Sequence, residues 1–253
     1  SPFDITVLDR WAAKCRDGQM RNVIVQTEID RSDGRLITSV QVPVEVWYPK
    51  EEDEKYIGIA DPSAGIQSRN HDPAGFSIFA RRRPRLVARY NGYIAPYGLG
   101  SLASILGQEY NNALIDVDMT GGYGGPFLSG LGRYSQIARD MDPGTPAIYN
   151  QRLGFRITAS NRGELIGAIQ QALSDDGIEI PSVDVISCLR NIVLVRSKSG
   201  FSKYEARLGR HDEDMILVGR ALCLMAAHPI RERRIPLSQK LKKSLGIRTP
   251  RPV

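Results

Sequence analysis

The chain of 253 residues is 42% hydrophobic, 25% charged and 7% aromatic, ordinary globular values that exclude a largely disordered or collagen-like protein. Its net charge of +6 is concentrated at the C-terminus, where eight Lys and Arg residues and one Glu follow residue 230, and the rest is close to neutral. Three scattered cysteines without C-x-x-C spacing argue against disulfides and structural zinc. No apolar run approaches the roughly 20 residues of a membrane span.

Changes in composition along the chain predict an N-terminal extension, a main domain and a C-terminal tail. The start has neither a methionine nor the pattern of a signal peptide, so we expect a cytoplasmic protein that is a fragment of a longer chain. Residues 1–50 are predicted to be an N-terminal extension with a β-hairpin, and a charged break at 49–55 marks its end. The main domain is predicted over 51–229. Residues 230–253 are predicted to be a basic, flexible tail, which would attract a polyanion.

Strands and helices are predicted from the period of the hydrophobic residues. The predicted strands are 22–30, 35–47, 56–60, 76–81, 86–93, 113–117, 192–196 and 203–208, and the predicted helices are 11–15, 99–110, 127–131, 161–173, 183–189 and 211–228. Asp33-Gly34 predicts a hairpin turn between the first two strands. The three sequential strands from residue 56 predict an antiparallel meander. The fold class is therefore α/β, a mixed sheet layered with helices.

Most sequence motifs with a defined chemistry are missing. There is no Gly-Lys dipeptide for a Walker A loop, no H-E-x-x-H and no G-x-S-x-G. Residues 98–103 fit the dinucleotide pattern G-x-G-x-x-A, with Asp118 twenty residues after the first glycine. The preceding strand should lead directly into the first glycine, but Ala95-Pro96-Tyr97 intervenes. Dinucleotide binding is therefore the weaker hypothesis.

Acidic residues stand at the ends of three predicted elements. Asp61 ends one strand, Asp118 ends another, and Asp212-Glu213-Asp214 begins the last long helix. Such ends can converge at one edge of a sheet. Asp214 shares a helical face with apolar residues four, eight and eleven positions later, and an ionised carboxylate on such a buried face needs a positive partner.

Converging carboxylates repel one another, so a divalent metal is the expected counter-charge. Oxygen ligands without His or Cys select Mg²⁺ or Mn²⁺. Each acid also has a simpler explanation, because Asp61 and Asp118 could begin turns and Asp212 could be a helix N-cap. The occurrence of all these acids at the ends of elements that can converge favours a metal site. Asp116, on the same strand face as Asp118, is a weaker candidate.

Five segments in order resemble the nuclease domain of the large subunit of terminases of the tailed-phage and herpesvirus type, a branch of the ribonuclease H-like superfamily. They are 56–65, 71–78, 110–118, 154–158 with Arg162, and 203–206 leading to 209–215. The resemblance spans about residues 55–228. It implies a ribonuclease H-like mixed sheet with helices on both faces. It also implies a DNA endonuclease that cuts concatemeric viral DNA during genome packaging.

The resemblance implies that Asp61, Asp118 and Asp214 are the catalytic, metal-binding acids. Asp214 is favoured as the third acid because of its helical face, and Asp212 is expected to be an auxiliary metal ligand. We expect two Mg²⁺ or Mn²⁺ ions and hydrolysis of the phosphodiester bond without a protein nucleophile. The family usually has Glu at the position of Asp118 and ends in His-Asp-Asp, whereas this chain has His211-Asp212-Glu213-Asp214. The register between Asp212 and Asp214 therefore stays open. His211 is expected to support the site or cap the helix.

Six basic side chains are predicted to hold DNA phosphates, with a solvated surface as the alternative for each. They are Arg133, Arg162, Lys198, Lys203, Arg207 and Arg210. The resemblance further implies double-stranded DNA as substrate, an ATPase domain upstream in the full-length chain, and portal protein and the small terminase subunit as partners. It implies action in the host cell cytoplasm and no membrane partner.

Three other functions remain as alternatives. Another ribonuclease H-like nuclease, of the integrase or resolvase type, would share the metal-binding acids. A noncatalytic DNA-binding or assembly module would keep the fold and show no metal dependence. A dinucleotide-dependent enzyme would bind NAD and ignore Mn²⁺.

Overall fold

Ten strands and six helices follow one another in the described part of the chain. The computed structural model describes residues 1–31, 34–67, 72–141, 151–196, 202–207 and 211–230. The helices are α1 (Ile5–Ala12), α2 (Pro96–Glu109), α3 (Gly124–Gly130), α4 (Ala159–Ser174), α5 (Val183–Asn191) and α6 (Glu213–Ala227). The strands are β1 (Gln19–Arg31), β2 (Gly34–Val46), β3 (Tyr56–Asp61), β4 (Ala74–Ala80), β5 (Arg85–Gly92), β6 (Leu114–Val117), β7 (Arg139–Met141), β8 (Gln151–Leu153), β9 (Ile192–Arg196) and β10 (Ser202–Ala206). None of the described helices has the length and hydropathy of a membrane-spanning segment.

Six strands form one mixed sheet in the order β1-β2-β5-β4-β3-β6. Strands β3, β4 and β5 form the predicted antiparallel meander. Strand β6 pairs with β3 in parallel, from Ile57 with Leu114 to Ala60 with Val117. Because parallel neighbours end at the same edge, the residues that follow Ala60 and Val117 lie side by side.

Helices cover both faces of the sheet, as expected from the sequence. Alternate residues of β3 enter different cores: Tyr56 and Ala60 pack in the core that contains α2 and α3. Ile57 and Ile59 pack in the core that contains α1, α4, α5 and α6. By the same alternation, Asp61 belongs to the α6 face. The sheet is therefore the middle layer of three.

The predicted hairpin forms the outer strands of this same sheet. β1 and β2 pair throughout, up to Arg31 with Gly34, and β2 joins β5 where Glu45 faces Arg89. The predicted division of the chain at residue 51 is not tested by these pairings. The first helix begins earlier than predicted, at Ile5, because Asp4 caps it by accepting a hydrogen bond from the Thr6 amide at 2.8 Å.

The second glycine of the G-x-G-x-x-A pattern, Gly100, has a packing explanation. A Cβ on Gly100 would lie 2.1 Å from the carbonyl oxygen of Phe127, and one on Gly130 would lie 2.0 Å from the carbonyl oxygen of Tyr97. Both positions therefore allow α2 and α3 to approach backbone to backbone. This close approach accounts for Gly100 without a bound nucleotide.

Candidate active site

Asp61 and Asp118 lie together at the carboxyl ends of β3 and β6. The Asp118 amide donates to the carbonyl oxygen of Ala60 at 2.9 Å, which fixes Asp118 beside the end of β3. The pKa of Asp61 is raised well above its ordinary value, first by burial and then by the negative charges of Asp118 and Glu213. The predicted convergence of strand-end acids thus occurs for these two residues.

Glu213, at the start of α6, brings a third carboxylate to this edge. Its side chain is buried, and its Oε1 accepts a hydrogen bond from Asn91 Nδ2 at 2.6 Å. Its Oε2 is buried and has no hydrogen-bond partner among the described residues. Burial and the neighbouring charge of Asp214 raise the pKa of Glu213. Sequence reasoning named Glu213 only as part of the acidic run and gave it no role.

Asp214 is buried as predicted, but its positive partner is an arginine. Its two carboxylate oxygens accept hydrogen bonds from Arg89 Nε at 2.8 Å and Arg89 Nη2 at 2.7 Å. Arg89 is itself buried and lies 3.6 Å from Asp184. In this structure a guanidinium supplies the positive partner for which the sequence analysis expected a metal ion. Asp214 holds α6 against β5.

Asp212 occupies the N-cap position of α6, yet its side chain caps no backbone amide. It forms an ion pair with Arg162, which lies in the first turn of α4. The charges of Asp61 and Asp118 also act on the Arg162 guanidinium, while burial lowers its pKa. Arg162 is therefore a cation that faces the carboxylate cluster of Asp61, Asp118 and Glu213.

The loop after β6 holds Asp118 in place. The Thr120 amide donates to Asp118 Oδ1 at 2.8 Å, and this contact partly offsets the rise in the Asp118 pKa caused by burial. Gly121 and Gly122 have φ of 76° and 86°, which residues with side chains rarely adopt.

Asp116, the weaker candidate, accepts a hydrogen bond from Arg220 Nε of α6 at 2.7 Å and is fully buried.

Two predicted phosphate ligands line one groove beside the cluster. The groove has a volume of 350 Å³, and Asp118, Arg162 and Lys203 are among its lining residues. Arg133 and Arg207 are exposed and do not line it. Lys198, Arg210 and the tail beyond Ile230 lie outside the described residues.

His211 lies next to the cluster rather than in it. Its Nδ1 is 2.6 Å from Asp72 Oδ1, and the charge of Asp72 is one of those that raise the pKa of Asp61. A supporting role for His211 stays a prediction.

The carboxylates fit a hard divalent cation by the chemistry of their donors. No three His, Cys, Asp or Glu side chains of the described ranges are close enough together to hold a metal ion in this geometry. The cluster nevertheless offers only oxygen donors, which Mg²⁺ and Mn²⁺ prefer. A bound cation would give the unpartnered Oε2 of Glu213 a partner and would offset the repulsion between the negative charges around Asp61.

Comparison with known proteins identifies the fold. No family model and no curated protein matches the sequence. The large terminase nuclease from thermophilic phage G20c is 17% identical, with a TM-score of 0.54 over 86% of this chain and 97% of that chain. Its magnesium-bound structure is 13% identical, with a TM-score of 0.56 over 85% and 96%. The large terminase nuclease domain of Thermus phage P74-26 is 16% identical, with a TM-score of 0.53 over 85% and 93%. The chain has the ribonuclease H-like fold of large terminase nuclease domains, which confirms the fold predicted from the sequence.

Proposed function

We propose that this chain is the metal-dependent endonuclease domain of a viral large terminase subunit, cutting concatemeric viral DNA during genome packaging. The observation that carries the proposal is that Asp61, Asp118 and Glu213 lie along one sheet edge, where burial and the charges of the other two raise the pKa of Asp61, and that a buried Glu213 oxygen has no partner among the described residues. The fold supports it, since it is that of terminase nucleases. One such nuclease was solved with magnesium and also with cobalt.

Asp61, Asp118 and Glu213 are the proposed ligands of two Mg²⁺ or Mn²⁺ ions, and Asp212 is an auxiliary ligand. When bound, a pair of such ions supplies the attacking hydroxide and stabilises the leaving 3′-oxygen. Glu213 takes the place that sequence reasoning gave to Asp214, because both Asp214 oxygens are bound by Arg89.

The surrounding residues position the ligands and the DNA. The Thr120 amide fixes one oxygen of Asp118, and Asn91 fixes one oxygen of Glu213. Arg162 and Lys203 line the groove that leads to Asp118, where they would bind phosphates of double-stranded DNA. An upstream ATPase domain, portal protein, the small terminase subunit and the host cell cytoplasm complete the proposed setting.

Nicking of supercoiled plasmid in Mn²⁺, Mg²⁺ or EDTA tests this function. We expect cutting in metal and none in EDTA, and its loss in Asp61→Asn, which keeps the shape of the side chain. Asp53→Asn is the matched control, since Asp53 is exposed in the loop before β3 and should cut like the wild type. A folded protein that neither cuts DNA nor binds Mn²⁺ by calorimetry would be an assembly module instead.

A further inference from the structure

Two residues of β5 hold the first turn of α6. Arg89 Nε and Nη2 donate to the two carboxylate oxygens of Asp214 at 2.8 Å and 2.7 Å, and Asn91 Nδ2 donates to Glu213 Oε1 at 2.6 Å. Arg89 and Asn91 are two positions apart, so their side chains lie on the same face of the strand. These two residues, the β5 clamp, join one strand face to two consecutive residues of the helix.

Two contacts of this kind fix the rotation of α6 about its axis. Consecutive side chains of a helix point about 100° apart, so Glu213 and Asp214 leave the helix in different directions. The side chain of the N-cap residue, Asp212, binds no backbone amide of the helix. If Arg89 released Asp214, the start of the helix could turn about the Asn91 contact. The direction of the Glu213 carboxylate therefore depends on Arg89 as well as on Asn91.

The β5 clamp places Glu213 beside Asp61. Asp61 pairs with Gly75 and Gly75 pairs with Asn91, so these three residues form a row across β3, β4 and β5. Neighbouring strands lie about 4.8 Å apart, which puts the Cα atoms of Asp61 and Asn91 about 10 Å from each other. A Cβ on Gly75 would lie 3.5 Å from Glu213 Cγ. Glu213 therefore lies over the middle of this row, between β5 and the strand that carries Asp61.

Arg89 is also held by elements other than α6. It is buried, and its Nη1 lies 3.6 Å from Asp184 Oδ2 in the first turn of α5. Within the sheet it faces Glu45 of β2. Because Arg89 lies among β2, β5 and α5, its guanidinium can fix the position of Asp214 rather than follow it.

We propose that Arg89 is a positioning residue of the nuclease site, which acts through Asp214 to orient the Glu213 carboxylate toward Asp61 and the metal ions. The inference rests on the proposed function, since it takes Glu213 as a metal ligand. Replacing a residue that orients a metal ligand typically lowers metal affinity about 10–100-fold. An ion pair that only stabilised the fold would leave the metal affinity of the folded protein unchanged.

Replacing the buried ion pair by apolar side chains separates positioning from stability. Arg89→Met/Asp214→Val removes both charges together, and such replacements are often neutral or stabilising because neither partner is left unpaired. The variant should therefore melt in EDTA at the wild-type temperature or above. Its Mn²⁺ affinity, measured by calorimetry on the full chain, should be at least about tenfold weaker.

Two further variants complete the test. Arg85→Met/Glu51→Leu removes an ion pair at the other end of β5, and this matched control should bind Mn²⁺ like the wild type. Arg89→Lys keeps a positive charge beside Asp214 but lacks the planar fork that makes two parallel hydrogen bonds. It should bind Mn²⁺ more weakly than the wild type, and it decides the question if the apolar pair does not fold.

The outcomes separate this inference from the nuclease function. Weaker Mn²⁺ binding by the folded Arg89 variants, with wild-type binding in the control, supports the positioning role. Unchanged Mn²⁺ affinity in these variants, with plasmid cutting that still depends on Asp61, overturns the positioning role alone. A wild-type protein that binds no Mn²⁺ and cuts no DNA overturns the proposed function and the positioning role together.

Discussion

Two adjacent residues of α6 are expected to respond in opposite ways to substitution. Asp214→Ala leaves the Arg89 guanidinium, which is 9% exposed, without its bidentate partner. Removing one member of a buried ion pair costs about 3–5 kcal/mol. At about 2–4 °C per kcal/mol for a domain of this size, the melting temperature in EDTA should fall by about 6–20 °C.

Glu213→Gln should preserve the fold and remove metal binding. The charged form of Glu213 is already disfavoured by burial and by Asp214, so the amide should melt in EDTA at the wild-type temperature or above. At a metal concentration of about 100 Kd the wild type gains about 2.7 kcal/mol, a rise of about 5–11 °C in melting temperature. That rise should be missing in Glu213→Gln.

Thermal melts in EDTA and in Mn²⁺, together with plasmid nicking, decide between the two residues. The reasoning is refuted if Asp214→Ala melts at the wild-type temperature and loses the Mn²⁺-dependent rise while Glu213→Gln retains it. That result would return the third catalytic position to Asp214, as the helical face of the sequence predicts.

Three further outcomes are expected. Because the pKa of Asp61 is raised in the folded state, the folded protein without metal keeps a proton that the unfolded chain releases. The free energy of unfolding in EDTA should therefore fall as the pH rises from 3.8 through the folded pKa. Chemical denaturation at several pH values should show a weaker fall in Asp61→Asn. Arg162→Gln should bind Mn²⁺ about tenfold more tightly by calorimetry, equivalent to about 1.4 kcal/mol, because a cation that competes with the metal is lost. The variant should also cut less DNA, and an equal or weaker metal affinity would contradict the reasoning. Gly100→Ala would place a Cβ 2.1 Å from the Phe127 oxygen, and it should lower the free energy of unfolding in urea by about 1–3 kcal/mol. Gly167 is exposed in α4 and a Cβ there meets no atom within 4 Å, so Gly167→Ala should raise that free energy by up to about 1 kcal/mol.

The sheet could be predicted from the sequence because its central strands have unmistakable local patterns. Residues 56–60 are short, apolar and followed by Asp-Pro, and they form most of β3. Asp33-Gly34 predicts a hairpin, and β1 and β2 pair up to Gly34. Acids that end two strands converge when those strands are parallel neighbours. Asp61 and Asp118 could therefore be placed at one edge from local patterns alone.

The third acid could not be placed in this way, because the periodicity argument assumes that a helix has one buried face. The residues from Glu213 to Gly219 at the start of α6 are all buried. Helical spacing then cannot separate Glu213 from Asp214. What separates them is Arg89, which is 125 residues away in the sequence. No local signal indicates that this strand residue pairs with α6.

The parallel pairing of β3 with β6 also has a consequence for the order of folding. The hairpin of β1 and β2 closes through neighbours such as Arg31 and Gly34, whereas Ile57 and Leu114 must meet across two strands and a helix. Local pairings form faster than distant ones. We expect pulsed hydrogen exchange to protect the hairpin amides before those of β6, and the reverse order would contradict this. Asp61 and Asp118 would then meet only late in folding, so a partly folded chain would lack the proposed metal site.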